Sequence, residues 1–546
     1  MRHFINASET IVADALDGMI LSSGSRGLAR LDGFPEIRVI LRTGRDPAKV
    51  AVISGGGSGH EPAHAGFVGE GLLDAAVCGD IFASPTVDAV LAAILAVTGP
   101  AGCLLVVKNY GGDRLNFGLA AEKARGLGRR VEMVIVSDDI AIPDSPRPRG
   151  IAGTLLVHKA AGHAAAAGLS LEEVRHAADD IAQAVKSLGV ATTSCSIPGR
   201  TSEERIAAGD AELGLGIHGE PGSGRSPLPP VRDLVGRMLD RFGPEIREAP
   251  RLAVLVNNLG GVPALEMGVV TREILHGPLG SRIALILGPT PAVTALDMRG
   301  FSLSLLPLDD ARAAMLTAPV AVPAWPTPQR VARSAAILPL PAELAPAAEA
   351  PSRNPAVRRA IEVICGTLVE AQADLDALDA QVGDGDTGST FAAAARRVAD
   401  DLDALPLDAR DALCRAIAER LSRVMGGSSG VLMSIFVAAA GAAFGAGATL
   451  PAALRAGLDR VQHYGGAQAG DRTMVDALEP AIAALARGEG IEGAAAAARA
   501  GAQATAAMRS ARAGRASYLA GTELAGIVDP GAEAVARVFE ALARAS

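Results

Sequence analysis

The sequence predicts a multidomain protein in which an α/β half is joined by a Pro/Ala-rich linker to an all-helical half. Three observations carry this expectation. Short, continuous apolar runs alternate with glycine loops and helical periods as far as Pro319. Proline and alanine then replace the periodic pattern, and beyond Asn354 every periodic segment is helical. The boundaries expected from these shifts are 1–330 for the first domain, 331–354 for the linker and 355–546 for the second domain.

In chain order, the β-rich runs are Val50–Ile53, Cys103–Val107, Val131–Val136, Leu252–Val256 and Ile283–Leu287. Runs without polar alternation suit strands covered on both faces, which is the environment of a parallel sheet between helices. The segment Pro323-Ala-Trp-Pro-Thr-Pro, then Leu338-Pro-Leu-Pro and Pro346 to Pro355, reads as a semi-rigid connector. The last part is Ala-rich, as in Gly493–Met508, and contains no convincing strand. Val431–Leu450 carries no charged residue, but its second half is mostly Ala and Gly, with Gly441 and Gly445 spaced for close packing. It is expected to be a buried helix of a soluble protein rather than a membrane span.

Composition removes several function classes. Of the 546 residues, 49% are hydrophobic and only 3% aromatic, so the cores must be aliphatic. Lys+Arg 51 against Asp+Glu 60 leaves a net charge of −9, with no basic excess for nucleic acid or an anionic membrane. The odd set Cys78, Cys103, Cys195, Cys365 and Cys414 contains no C-x-x-C pair. Reduced thiols and a cytoplasmic location are therefore expected. The N-terminal residues also lack the apolar run of a signal peptide.

Two pattern matches are set aside. His60-Glu61-Pro62-Ala63-His64 fits a zinc-helix expression, but Pro62 lies between the ligands and a glycine run precedes them. Gly214–Gly219 fits G-x-G-x-x-G, yet no β-rich run leads into it. More informative is Ser54–His60, a strand end running into glycines and an imidazole, suited to holding a small oxygenated molecule. Lys108–Phe117 adds a cation, paired glycines and Asp113 at another strand end, and His218 also sits among glycines. Together these make a small-polar-ligand site.

In the second half, Asp374, Asp376, Asp379, Asp384 and Asp386 fall within thirteen positions. Asp384 and Asp386 lie in a glycine loop, where mutual repulsion calls for a cation. Mg²⁺ suits them because it takes few carboxylates and leaves room for phosphate oxygens. Asp374 and Asp376 read as a solvated helix face. Gly426–Gly430 and Gly470–Met474 add glycine and hydroxyl loops of the kind that bind phosphate. Carboxylates beside such loops point to a magnesium nucleotide, and the carbonyl-type site in the first half points to a kinase.

The sequence resembles the single-chain, ATP-dependent dihydroxyacetone kinases. The resemblance is carried by Gly55–His64, Lys108–Phe117, Gly150–Thr154, Ala191–Pro198, Glu212–Gly222 and Asn257–Gly261. In the second half it is carried by Val382–Thr390, Gly426–Gly430, Gly470–Leu478, Gly514–Tyr518 and Asp529–Gly531. It implies two α/β subdomains in the substrate half and a helical nucleotide half. His218 then matches the residue that binds the substrate ketone as a hemiaminal. Gly57, Ser58, Gly59, His60, Lys108 and Asp113 match substrate contacts, with His60 and Asp113 both candidates for acid/base work. Asp379, Asp384 and Asp386 match the metal ligands. Thr387, Gly388, Ser389, Thr390, Ser428, Ser429, Gly470, Thr473, Met474, Asp529, Pro530 and Gly531 match the nucleotide surround. The implied ligands are a short ketose, ATP and Mg²⁺, and the implied assembly is a homodimer. Erythrulose or another short ketose, an FAD-cyclising side activity, and a ketose-sensing role remain alternatives at this point.

Overall fold

The computed structural model describes all residues except 1–2, 25–26, 32, 34–36, 201–204, 342–349, 426 and 513–523, and only the backbone of 427–429. The Gly514–Tyr518 motif, Gly426 and the middle of the linker thus lie outside the described residues. The chain divides into two compact units, Met1–Ile337 and Leu338–Ser546.

The first unit contains two sheets. One is built from β1 (Leu28–Arg30), β2 (Val39–Arg42), β3 (Ala51–Ser58), β4 (Ala75–Ile81), β5 (Cys103–Lys108) and β6 (Val131–Val136), in the order β1-β2-β4-β3-β5-β6. The other comprises β7 (Lys186–Ala191), β8 (Asp210–Leu213), β9 (Gly224–Pro227), β10 (Leu252–Asn258), β11 (Ile283–Pro291), β12 (Gly300–Pro307) and β13 (Gln329–Arg330), in the order β13-β11-β10-β12-β7-β8-β9. The five continuous apolar runs are β3, β5, β6, β10 and β11. Each pairs in parallel with another of the set.

Two-sided burial explains their composition. Val52, Leu104 and Val106 share a core with Leu155 and Leu156 of the helix Thr154–Ala166. Ile53, Leu105 and Val107 face the other way, against Ile94 of the helix Val87–Val97 and Phe117 of the helix Gly111–Gly126. Strands with weaker patterns escape a sequence reading. In β12, Ser302 and Ser304 alternate with apolar residues yet are fully enclosed, because Asn257 Nδ2 donates to Ser302 Oγ (3.1 Å) and Ser187 Oγ donates to Ser304 Oγ (2.7 Å). β12 runs antiparallel to both β10 and β7, so the second sheet is mixed.

The second unit is helical, with no strand among its described residues. Its alanines allow close approach: Ala477, Ala481 and Ala484 pack against Ala494, Ala498 and Ala502, and against Ala532 and Ala536. Gly501 has no room for a side chain, since a Cβ there would lie 2.1 Å from the Asp476 carbonyl oxygen. The charge-free stretch Val431–Leu450 departs from expectation. Its helix, Gly427–Gly445, ends before Leu450, where a separate helix, Leu450–Gly465, begins. Phe436 and Ala440 are buried while Val431 is exposed, so the helix is half-buried rather than enclosed. Gly441 serves close packing on the inner side, where a Cβ would lie 2.7 Å from Cys414 Cβ. Among the described residues no helix is long and apolar enough to cross a membrane.

Candidate active site

The glycines expected in a loop after β3 instead complete that strand, which runs on to Ser58. Side chains would prevent this. A Cβ at Gly55 would lie 2.3 Å from the Val77 carbonyl oxygen, and one at Gly57 would lie 2.8 Å from the Ala83 nitrogen. Gly56, at φ +151°, borders the reactive groups: a Cβ there would sit 3.5 Å from Asp113 Oδ2 and 3.7 Å from Lys108 Nζ. Absence of that methyl group leaves an ammonium and a carboxylate converging on bare backbone.

Lys108, the last residue of β5, is 1% exposed, and Asp113 in the first turn of the Gly111–Gly126 helix is 4% exposed. Burial lowers the Lys108 pKa, and the charge of Asp113 opposes this. Burial raises the Asp113 pKa, against the charge of Lys108 and a hydrogen bond from Ser84 Oγ at 2.5 Å. Both groups are therefore more ready to exchange a proton than they would be in water.

Across 158 positions of sequence, His60 and His218 meet with their Nε2 atoms 3.0 Å apart. Their other ring nitrogens are committed. His60 Nδ1 lies 2.7 Å from the Thr294 carbonyl oxygen, which can only accept. His218 Nδ1 lies 2.9 Å from the Glu220 carboxylate, whose other oxygen accepts the His218 backbone N–H at 3.0 Å. Both Nδ1 atoms therefore carry protons, which leaves the two Nε2 atoms as the nitrogens that face each other in the site. Burial, then the charges of Lys108 and His218, hold His60 well below its ordinary pKa. Burial pushes Glu220 upward, but the hydrogen bond from His218 and its charge outweigh this and hold the carboxyl down at about 2. The rings of Phe82 and Tyr110 complete the walls, 5.2 and 4.7 Å from the His218 ring.

The rejected patterns resolve accordingly. His64 does not join His60: it stacks edge-on with His158 at 5.1 Å, and both imidazoles approach Ser54. A strand, β8, does lead directly into Gly214–Gly219, contrary to the sequence reading, but the segment turns back into β9 instead of opening a helix.

In the second unit, Asp379, Asp384 and Asp386 each present a carboxylate oxygen within 4.8 Å of the others. Asp379 ends the helix Gln372–Asp379, and its Oδ2 accepts the backbone N–H groups of Gly385, Asp386 and Thr387 at 3.0, 3.0 and 3.2 Å. That clamp folds the glycine loop onto the first turn of the helix Thr387–Asp400, which holds Thr387, Gly388, Ser389 and Thr390. Three oxygens so spaced beside a helix N-terminus fit a hard divalent cation with a phosphate partner. Asp376 is not a solvated residue as expected: it accepts both Ser389 N–H (2.8 Å) and Ser389 Oγ–H (2.6 Å). Asp374 is a surface residue paired with Arg537 at 2.8 Å.

Gly470 and Thr473 donate their backbone N–H groups to Asp476, at 2.5 and 2.8 Å. Met474 packs beside Gly531, where a Cβ would lie 3.4 Å from Met474 Cβ. Asp529 caps the helix Pro530–Ala545 through Ala532 N–H at 2.8 Å, and burial raises its pKa to about 6. The loops bearing Asp384 and Asp471 also share neighbours. Val382 packs with Ala511 and Leu524, and Arg512 N–H donates to the Asp471 carbonyl at 3.3 Å. Ser428 and Ser429 belong to the start of the helix Gly427–Gly445, and their side chains lie outside the described residues.

Glu220, Thr294 and Ser84 escape the sequence reading. Only Glu220 left a signal, as a carboxylate two positions after His218; Thr294 and Ser84 are brought in by chain distant from the motifs they serve.

An α/β unit with convergent imidazoles, ammonium and carboxylate, joined in one chain to a helical unit with a carboxylate cluster, defines a two-part small-molecule kinase. Residues 27–324 match the Dak1 domain and residues 381–544 the DAK2 domain. The chain belongs to the dihydroxyacetone kinase family. It is 51% identical to the dihydroxyacetone kinase of Citrobacter freundii, with 99% of this chain and 98% of that protein covered. It is 39% identical to the human triokinase/FMN cyclase, with 99% and 98% covered. The crystal structure of the C. freundii kinase in complex with AMP-PNP and Mg²⁺ superposes with a TM-score of 0.83 at 50% identity, over 100% of both chains.

Proposed function

We propose that this chain transfers the terminal phosphate of ATP to dihydroxyacetone, holding the ketone on His218 as a hemiaminal. The observation that carries this reading is the meeting of two Nδ1-committed imidazoles, His60 and His218, beside the buried Lys108 and Asp113.

His218 Nε2 closes a bond to the carbonyl carbon as the C=O π bond opens onto oxygen. The Lys108 ammonium, its pKa lowered by burial, protonates that oxygen as the His218 Nδ1 proton passes to Glu220, and the neutral His60 accepts a hydrogen bond from the new hydroxyl at Nε2. Lys108 donates to substrate oxygens, while Gly57, Ser58 and Gly59 form the floor. Asp113, raised by burial, accepts the proton of the terminal hydroxyl as that oxygen attacks the terminal phosphorus of ATP and the bond to ADP breaks. Glycerol has no electrophilic carbon, so capture separates ketone from polyol by bonding rather than by shape.

On the second unit, Asp379, Asp384 and Asp386 would hold Mg²⁺, whose charge offsets that of the phosphates. Thr387–Thr390, Ser428, Ser429, Gly470, Thr473, Met474 and Asp529–Gly531 would surround the nucleotide. Residues 1–330 act as the ketone domain and 355–546 as the nucleotide domain, with 331–354 between them. The reading includes a cytoplasmic homodimer. The five cysteines, none in a disulfide and four of them buried, support a reducing compartment, and light scattering tests the dimer.

The deciding experiment supplies ATP and Mg²⁺ with dihydroxyacetone, erythrulose and glycerol, and follows intact mass alongside turnover. Dihydroxyacetone is expected to give the highest kcat/KM and a substrate-sized adduct that His218→Ala abolishes. Equal turnover of glycerol, or an adduct that persists in His218→Ala, sinks the reading.

A further inference from the structure

The imidazole of His218 is carried by the second sheet, on the turn between β8 and β9, whereas His60, Lys108 and Asp113 are carried by the first. The 3.0 Å approach of the two Nε2 atoms therefore depends on how that turn is docked. Within itself the turn is well braced. Gly216 N–H donates to the Glu220 carbonyl, Gly219 N–H to the Gly216 carbonyl, and His218 N–H to the Glu220 carboxylate, at 2.9, 2.9 and 3.0 Å. Internal bracing makes it a small rigid body without deciding where that body sits.

Its seat is the connection between the sheets. After β6 the chain crosses to β7, where Ser187 N–H donates to the Asp138 carbonyl (2.7 Å) and Ile140 N–H to the Ser187 carbonyl (2.9 Å). The Asp138 carboxylate accepts Ile151 and Gly153 N–H groups at 2.8 Å each, fixing the chain just after Arg149. From there the Arg149 guanidinium donates to two acceptors, from Nε to Asp139 Oδ2 and from Nη2 to the Gly214 carbonyl oxygen, both at 2.7 Å. The Arg149 side chain is 13% exposed and that of Asp139 5%. The turn is shaped to lie on this pair. A Cβ at Gly216 would fall 2.5 Å from Arg149 Nη1, and one at Gly214, at φ +75°, would fall 2.3 Å from Ala141 Cβ.

We infer that Arg149, paired with Asp139, is a positioning residue for His218: it anchors the 214–220 turn to the inter-sheet connection and thereby sets the approach of His218 to His60. Arginine suits the task because its planar fork holds a carboxylate and a carbonyl at once, whereas a lysine offers a single point of charge. The inference rests on His218 being the ketone-binding nitrogen.

The test uses the full chain and the variants Arg149→Met and Arg149→Lys. Ketone and ATP kinetics are measured together with ¹⁵N spectra of the histidine rings, recorded without ketone. Arg149→Met is expected to raise the ketone KM by about 10- to 100-fold, the effect of an ångström-scale misplacement of a reacting group, with kcat at saturating ketone and the ATP KM little changed. It is also expected to shift the His218 ring resonances. Arg149→Lys, which keeps the charge and one bond, should recover part of the loss. Unchanged ketone KM with unmoved His218 resonances overturns the inference. So does a parallel fall in kcat, ketone affinity, ATP affinity and melting temperature, which marks general loosening. If the unaltered protein forms no ketone adduct while His218 resonances still respond to Arg149→Met, the ketone-capture reading fails and the anchoring role stands.

Discussion

Replacing Glu220 by Gln isolates the group that orients His218 without changing its shape. The carboxylate accepts from His218 Nδ1 at 2.9 Å and from the His218 backbone N–H at 3.0 Å, and Gln can retain one of these bonds as a neutral acceptor. The gap between an ordinary glutamate, 4.5, and about 2 here corresponds to roughly 3 kcal/mol of preference for the ionised group. The Glu220 side chain is 34% exposed, and solvent screening reduces the usable part to about 1–2 kcal/mol. A charge-assisted bond replaced by a neutral one costs a similar amount, about 1–2 kcal/mol. Two independent routes thus give the same size, a roughly 5- to 30-fold drop in kcat/KM for the ketone near neutral pH. The drop should come from weaker capture, because the amide side chain can present its NH₂ group to Nδ1 and expose the wrong tautomer. Rates of adduct formation by intact mass, alongside steady-state kinetics, measure it. On the proposed division of sites the ATP KM belongs to the other unit and should not move. Wild-type adduct formation in Glu220→Gln, or a loss confined to the ATP KM, refutes the argument.

Asp384→Asn keeps the loop's shape but removes one of three clustered charges, so turnover should collapse while the ketone adduct still forms; near-normal kcat would show that the cluster is structural. Asp529→Asn tests a buried carboxyl whose pKa is raised by burial to about 6. A raised acid destabilises its fold once ionised, so wild-type stability is lost as pH climbs from about 4 through 6, and the Asn variant should gain on it over that window by at most about 3 kcal/mol. The lost partner for Arg472 reduces that gain, but a pH-independent difference in denaturant unfolding would contradict the assignment. Cleavage at a protease site placed within 331–354 should leave an α/β fragment and a helical fragment, neither phosphorylating alone, with partial recovery on mixing at high concentration. Robust kinase activity of the second fragment alone would refute the division of roles.

The sequence by itself determined the fold class because its signals are local. The five apolar runs became parallel strands, four of them unbroken because two-sided burial disfavours polar alternation, while β6 carries the exposed Glu132. Ala-rich helical periods became closely packed helices for a similarly local reason. Glycine clusters marked where backbone approaches backbone, so His60, Asp113, His218 and the Asp384 loop stood out as candidates before any contact was known. Sequence misjudged what depends on partners. Asp376 looked solvated until Ser389 met it thirteen residues on, and the charge-free Gly427–Gly445 helix looked enclosed although one side faces solvent. Only the tertiary structure decided that His60 answers to His218 and not to His64, that Thr294 sets its protonated nitrogen, and that Arg149 reaches the Gly214 carbonyl. These pairs lie 158, 234 and 65 positions apart, and they form only when two sheets dock, a geometry set by the packing of the whole unit and carried by no local pattern.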